Sequence, residues 1–144
     1  MQIDETDHEL LSLLADNARA PVATLARRLG LARTTVQARL DRLEHSGVIA
    51  GYTLRLSESL RAPLRATALV SIEPRSAPAV LSRLKSLPSV RTVHTTSGRF
   101  DLIVGLEADT TEALDDTLDR IGETRGVKGS ESLIHLSTKL DRRN

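Results

Sequence analysis

Residues 21–51 constrain this chain more than any other stretch, because their apolar spacing fits two short helices joined at a glycine. Val22, Leu25, Ala26 and Leu29 recur at i, i+3, i+4 and i+7, which gathers them on one helix face. Gly30-Leu31-Ala32 is the turn, and Val36, Leu40 and Leu43 then repeat at i, i+4 and i+7. At about 100° per residue the opposite face carries Thr34, Ala38, Asp41 and His45, flanked by Thr35, Gln37 and Arg42. This outlines a helix-turn-helix. Short hydrogen-bonding side chains near the start of its second helix suit contact with base edges in the major groove.

Charge placement points the same way. From Arg19 to Arg42 six arginines stand against one acid, Asp41, a local balance of +5 in a chain of net charge +1. Phosphate binding needs such a patch, not a basic protein, because each neutralised phosphate releases condensed counterions. A helical hairpin with a solvated basic face is the plainer alternative. Angular position assigns Thr34, Thr35, Gln37 and Ala38 to base edges of double-stranded DNA. It assigns Arg27, Arg28, Arg33, Arg39 and Arg42 mainly to phosphates, with Gln37 the best single reader of adenine.

The remaining composition narrows the classes. The 144 residues, 40% hydrophobic and 27% charged, suffice for one ordinary domain or two small ones. No cysteine is present, so disulfides, thiol nucleophiles and iron–sulfur clusters are excluded. His8, His45, His94 and His135 are scattered without metal-ligand spacing, and no cofactor is expected. The acidic opening MQIDETDHE and the lack of a long apolar run predict neither signal peptide nor membrane span, and hence a cytoplasmic protein.

Along the chain, Asp4 caps a first helix with Asp7 three residues on, and Leu10, Leu11 and Leu14 give it an apolar face to about Asn17. Ser46-Gly47 stops the third helix, and the alternating Val48–Leu56 reads as a short strand, the wing of a winged helix-turn-helix. Polar, proline-containing 57–63 reads as linker. The expected organisation is a winged helix-turn-helix over 1–50, a strand linker over 51–63 and a βαββαβ domain over 64–144.

In that third part Ala66, Ala68, Val70 and Ile72 alternate as a strand. Ser76 caps a helix with Val80, Leu81, Leu84 and Leu87 inward, and 90–96 and 102–106 are strands. Thr110 or Thr111 caps a helix with Leu114, Leu118 and Ile121 inward, and 127–136 is the last strand. A faint repeat supports two halves: Leu81, Arg83, Leu84, Ser89, Val90 and Arg91 recur 37 residues later as Leu118, Arg120, Ile121, Gly126, Val127 and Lys128. Such halves fold as a ferredoxin-like α+β domain, a four-stranded antiparallel sheet with both helices on one face. The other, apolar face then calls for a partner subunit as cover.

The motifs Ile3-Asp4, Asp7 before Leu10-Leu11, Leu25-Ala26, Gly30-Leu31, Val36, Arg39, Leu43 and Glu44-His45-Ser46-Gly47-Val48-Ile49 follow one another with defined spacing. With Gly51-Tyr52-Thr53 and Gly98-Arg99-Phe100-Asp101, they make the chain resemble the Lrp/AsnC (feast/famine) transcription regulators over nearly its whole length. The resemblance implies dimerisation through the sheet, further assembly often into octamers, and control by a small effector, usually an amino acid. It also implies an effector loop at Ser97, Gly98, Arg99, Phe100 and Asp101, with Ser130 and Ser132 where the family commonly has threonines. Arg99 stands where an acid is frequent, and Ala32 where a serine usually caps the reading helix.

Chemically, Asp101 suits an ammonium, Gly98 lets backbone N–H groups approach a carboxylate, and the two serines can donate. SGRFD also suits a plain hairpin turn. An RNA-binding sheet would display aromatics, and Tyr52 and Phe100 are the only two here. An acylphosphatase-like enzyme, suggested by Arg75, needs an asparagine in the domain, yet the chain has only Asn17 and Asn144. No enzymatic activity is expected. An effector-responsive regulator and an architectural DNA-compacting protein without effector both fit.

Overall fold

The computed structural model describes residues 1–142, so the last two positions of the domain expected over 64–144 lie outside the described residues. The chain divides into two compact units, Met1–Arg55 and Leu56–Arg142.

The first unit is three helices, α1 (Glu5–Asp16), α2 (Val22–Leu29) and α3 (Arg33–His45). Asp4 caps α1 as expected and does so reciprocally. Its carboxylate accepts the Asp7 N–H at 2.8 Å, and its own N–H donates to the Asp7 carboxylate at 3.3 Å. Gly30, at φ +67°, ends α2 in the left-handed conformation that glycine adopts without strain, and the Leu31 N–H closes the turn on the Ala26 carbonyl at 2.9 Å. The stripes anticipated on α2 and α3 meet Leu10 and Leu14 of α1 in one core of Leu25, Ala26, Val36, Leu40 and Leu43.

The strand expected at Val48–Leu56 does not form: the segment has no strand pairing among the described residues. α3 closes with Gly47 at φ +80° and the Ile49 N–H on the Leu43 carbonyl, after which Tyr52, Leu54 and Leu56 stand exposed. Alternation supplies a face for a strand but not the second backbone that a ladder requires. Within the linker, Glu58–Leu60 forms one turn of 3-10 helix.

The second unit runs β1 (Leu64–Ile72), α4 (Ala77–Lys85), β2 (Val90–Thr95), β3 (Leu102–Ala108), α5 (Thr111–Glu123) and β4 (Val127–Ile134). The sheet order is β2-β3-β1-β4 and every pairing is antiparallel, the ferredoxin-like topology. Ala66, Ala68, Val70 and Ile72 point to the helices and join Val104, Leu106, Val80, Leu84, Leu114 and Ile121 in the core. Both halves of the repeat deliver equivalent residues: Leu84 and Ile121 are fully buried, and Val90 and Val127 open β2 and β4. Thr110 caps α5 by accepting the Ala113 N–H at 3.1 Å. Ser76 occupies the N-cap position of α4 but makes no side-chain cap bond, because a 3-10 turn at Pro74–Ser76 leads into the helix and leaves Ser76 in helical φ/ψ.

Strand alternation fixes the uncovered face. Arg65, Thr67, Leu69 and Ser71 of β1 lie there, with Glu107, Gly105 and Ile103 of β3 opposite the first three and Leu133 and Glu131 of β4 opposite Thr67 and Leu69. The face is therefore mixed, not apolar as expected. The strands' aliphatic residues went mainly to the helix side, leaving Leu69, Ile103 and Leu133 among hydroxyls and carboxylates.

Gly126 lies where the chain enters β4, at φ +98°, and a Cβ built on it would fall on the Cβ and Oγ of Ser76. Two independent penalties meet at one atom. Gly126→Ala should destabilise the second unit by about 1–3 kcal/mol. Urea unfolding of wild type and variant, followed by amide NMR signals of β1 and β4, checks this.

Candidate nucleic-acid interface and ligand loop

The exposed side of the first unit is the outer face of α3. Val36, Leu40 and Leu43 bury one side of this helix, which turns Arg33, Thr34, Thr35, Gln37, Ala38 and Asp41 outward. Arg27 and Arg28 are exposed in the last turn of α2, where cations also suit the helix dipole, and neither they nor Arg33 make an ion pair among the described residues. Thr34, Thr35, Ala38, Arg39 and Arg42 line a shallow hollow of about 470 Å³. The N-cap of α3, Ala32, contributes no side-chain bond, so the first backbone N–H groups of the helix have no cap. Gln37 donates through Nε2 to the Asp41 carboxylate at 2.8 Å, one turn on, which orients its amide.

Arg39 and Arg42 differ from the other arginines. Arg39 Nη1 donates to Asp4 and to Asp7 at 2.9 Å, and Arg42 Nη2 donates to Asp7 at 2.7 Å. Asp7 is fully buried, and its two oxygens accept from Arg39, from Arg42 and from the Asp4 N–H. Both guanidinium groups that the sequence assigned mainly to phosphates are thus tied to α1. Counting Asp4 and Asp7 with the patch lowers its local balance from +5 to +3. Asp7 was legible only as a capping residue. A second signal was available, since Asp7 lies in phase with Leu10 and Leu14 on the buried stripe, and an aspartate placed inward needs a cationic partner.

Tyr52 is over half exposed and donates its hydroxyl to Glu44 at 2.8 Å. Partial burial and the Glu44 carboxylate push its phenol above the usual range. It anchors the chain beyond α3 rather than a core.

In the second unit the loop Ser97–Asp101 joins β2 to β3. Gly98 turns at φ +101°, the Thr96 N–H donates to the Asp101 carbonyl at 3.0 Å, and the Thr96 hydroxyl donates to the Phe100 carbonyl at 2.8 Å. The Asp101 carboxylate accepts the Ile72 N–H of β1 at 2.8 Å, and the Asp101 N–H donates to Val70 at 2.9 Å. The hairpin alternative thus accounts for much of this loop's chemistry. Arg99 lies over the Phe100 ring at 5.0 Å and reaches Glu131 of β4 at 3.8 Å, not Asp101. Ser130 and Ser132 pair with Val70 and Ala68, so they share the helix-covered side of the sheet, whereas Glu131 beside Arg99 is on the open side. Within one chain the two serines thus take the opposite face of β4 from the Arg99–Glu131 contact. Among the described residues no group of His, Cys, Asp or Glu has the arrangement of a metal site, and no helix is long and apolar enough to cross a membrane.

One pH effect follows from the α1–α3 cluster. The Asp7 N–H, and then the Arg39 guanidinium, hold the Asp4 carboxyl below the usual aspartate range. A carboxyl depressed in the folded state adds stability above its unfolded pKa and loses it as pH falls through the folded value. The first unit should therefore weaken below about pH 4. Asp4→Asn should make that decline shallower in acid titrations followed by α1 amide signals.

The chain matches the AsnC-type helix-turn-helix domain over residues 3–44 and the Lrp/AsnC ligand binding domain over residues 65–144. It is 31% identical over 137 residues to the HTH-type transcriptional regulator FL11 of Pyrococcus horikoshii, covering 94% of this chain and 91% of that protein. Its fold is that of E. coli AsnC, at TM-score 0.89 and 24% identity over 100% of this chain and 99% of that one. It also resembles a Neisseria meningitidis transcriptional regulator solved with L-methionine, at TM-score 0.86 and 25% identity over 97% and 94% of the two chains. With a reading helix in one unit and a ligand-binding fold in the other, the chain belongs to the Lrp/AsnC family of DNA-binding transcription regulators, which are not enzymes.

Proposed function

We propose that α3 enters the major groove of an operator, with Thr34, Thr35, Gln37 and Ala38 at base edges and Arg27, Arg28 and Arg33 on phosphates. The observation that carries this reading is the outward row on α3, bordered by exposed arginines that have no carboxylate partner among the described residues. Gln37 keeps its carbonyl and one amide proton after donating to Asp41, enough for a two-point contact with adenine. Arg42, half exposed beyond its Asp7 bond, contributes to one phosphate, and Arg39 acts mainly through α1. The chain works in the cytoplasm, beside the DNA.

Gln37→Ala should relax the preference at one base pair by about 1–3 kcal/mol. Arg28→Ala should weaken binding to all sequences alike and reduce the salt slope by about one. Equal losses on selected and random duplexes for both variants would contradict the division into readers and phosphate holders. Binding titrations at several salt concentrations measure both.

The same proposal takes the protein as at least a homodimer joined through the mixed open face, with octamers as the larger form. Two heads then meet half-sites a whole number of turns apart. An amino-acid-like effector binds between subunits at the 97–101 loop with Ser130 and Ser132, the second subunit bringing the serines of one chain to the loop of the other. The L-methionine complex of the Neisseria relative supports this ligand class. A second reading, the architectural protein without effector, gains support from the Asp101 carboxylate being taken up by Ile72 and from Arg99 bonding to Glu131. Calorimetry with the common amino acids, on wild type and Asp101→Ala, decides between them. Coupling between ligand and DNA of about 1–3 kcal/mol is expected. No heat from any ligand, or heat unchanged in the variant, favours the architectural reading. Light scattering of the same samples at micromolar concentration should return a mass above the 15.7 kDa of one chain.

A further inference from the structure

Asp7 is the one buried charged residue among the described residues, and docking of α3 gives it no direct role. Its side chain has no exposure to solvent, and two of its three side-chain partners are the arginines of the middle and last turns of α3. We infer that Asp7, together with Asp4, is a positioning residue for DNA recognition, which withdraws Arg39 and Arg42 from free phosphate binding and fixes their guanidinium groups beside the base-reading side chains.

The geometry carries this step by step. Arg39 Nη1 is held by both oxygens of Asp4 and by one of Asp7, all at 2.9 Å, and the Arg39 side chain is only 24% exposed. Arg42 gives Nη2 to Asp7 at 2.7 Å and keeps its other N–H groups on a side chain 48% exposed. A guanidinium is planar, so pinning one nitrogen sets the directions in which the others can donate. An unpinned arginine sweeps through many positions and finds a phosphate on any sequence, which adds affinity without selectivity. A pinned one meets a phosphate only when the duplex sits in one register. The same two arginines line one hollow with Thr34, Thr35 and Ala38, so that register is the one that presents bases to α3. Two carboxylates against two guanidiniums also make the cluster neutral, which lowers attraction to DNA in general.

Asp4→Asn and Asp7→Asn in the full chain test this. The probes are a duplex selected by the wild-type protein from a random pool and a scrambled duplex of equal length, titrated across a range of salt. Each arginine released should steepen the salt slope on the scrambled duplex by about one. The ratio of selected to scrambled affinity should fall about tenfold for Asp7→Asn and less for Asp4→Asn. A purely structural role would lower stability yet leave the slope and ratio of the folded protein unchanged, and that result overturns the inference. A shallower slope on the scrambled duplex does so as well, since both arginines would then already hold phosphates on any sequence. Asp4 is exposed enough that its variant folds, so it decides alone should Asp7→Asn fail to fold. The inference rests on α3 docking: a wild type that binds neither duplex removes that basis, whereas a wild type that binds, with variants identical to it, removes only the positioning role.

Discussion

A carboxylate without access to water must be neutralised by its neighbours, and the first unit is arranged around one such group. Asp7 completes the capping box that Asp4 opens, receiving the Asp4 N–H, and binds two arginines of α3, so a single residue helps set both where α1 begins and how α3 lies against it. Buried ion pairs add little net stability, because desolvation offsets most of the Coulomb attraction. Removing one partner costs far more, about 3–5 kcal/mol, since a charge is then stranded. This asymmetry makes Asp7 a device for orientation more than for stability. The aliphatic core of Leu10, Leu25, Val36 and Leu43 supplies the burial that holds the three helices together.

The second unit uses a different economy. One face of its sheet is filled by alternate residues of β1 and β3 packed on α4 and α5, and the sharp turn into β4 needs Gly126 because Ser76 occupies the space a side chain would take. On the uncovered face Gly105 has a related reason: a Cβ there would collide with the Thr92 hydroxyl of β2. Bonds from 96 and 101 tie the 97–101 loop to itself and to β1 at the end of the sheet, so the turn is preformed. Preformed geometry lowers the ordering cost of binding.

Much of this was legible because periodicity is local. The apolar intervals in α1, α2, α3 and α5, the alternation in β1 and the 37-residue repeat each depend on near neighbours, and all three helices of the first unit and the βαββαβ order follow from them. The misreadings share a cause of another kind. Val48–Leu56 has the pattern of a strand without a second strand to pair with. Ser76 has the right side chain for a cap but the wrong backbone conformation, set by Pro74 two residues earlier. Arg39 and Arg42 looked like phosphate ligands because their carboxylates lie 32 to 35 residues upstream, beyond any local window.

The order of strands also has a consequence in time. β4 pairs with β1, the first strand of its unit, so the sheet lacks an edge until Ile134 has been synthesised, whereas the core of the three helices is built from residues between Leu10 and Ile49. At about 5–20 residues per second, the ribosome spends several seconds between those two points. The helix-turn-helix is therefore complete while the sheet of the ligand-binding domain is still unfinished. A nascent chain passes through an interval in which it owns a basic surface but not yet the domain whose fold is that of a ligand-binding regulator.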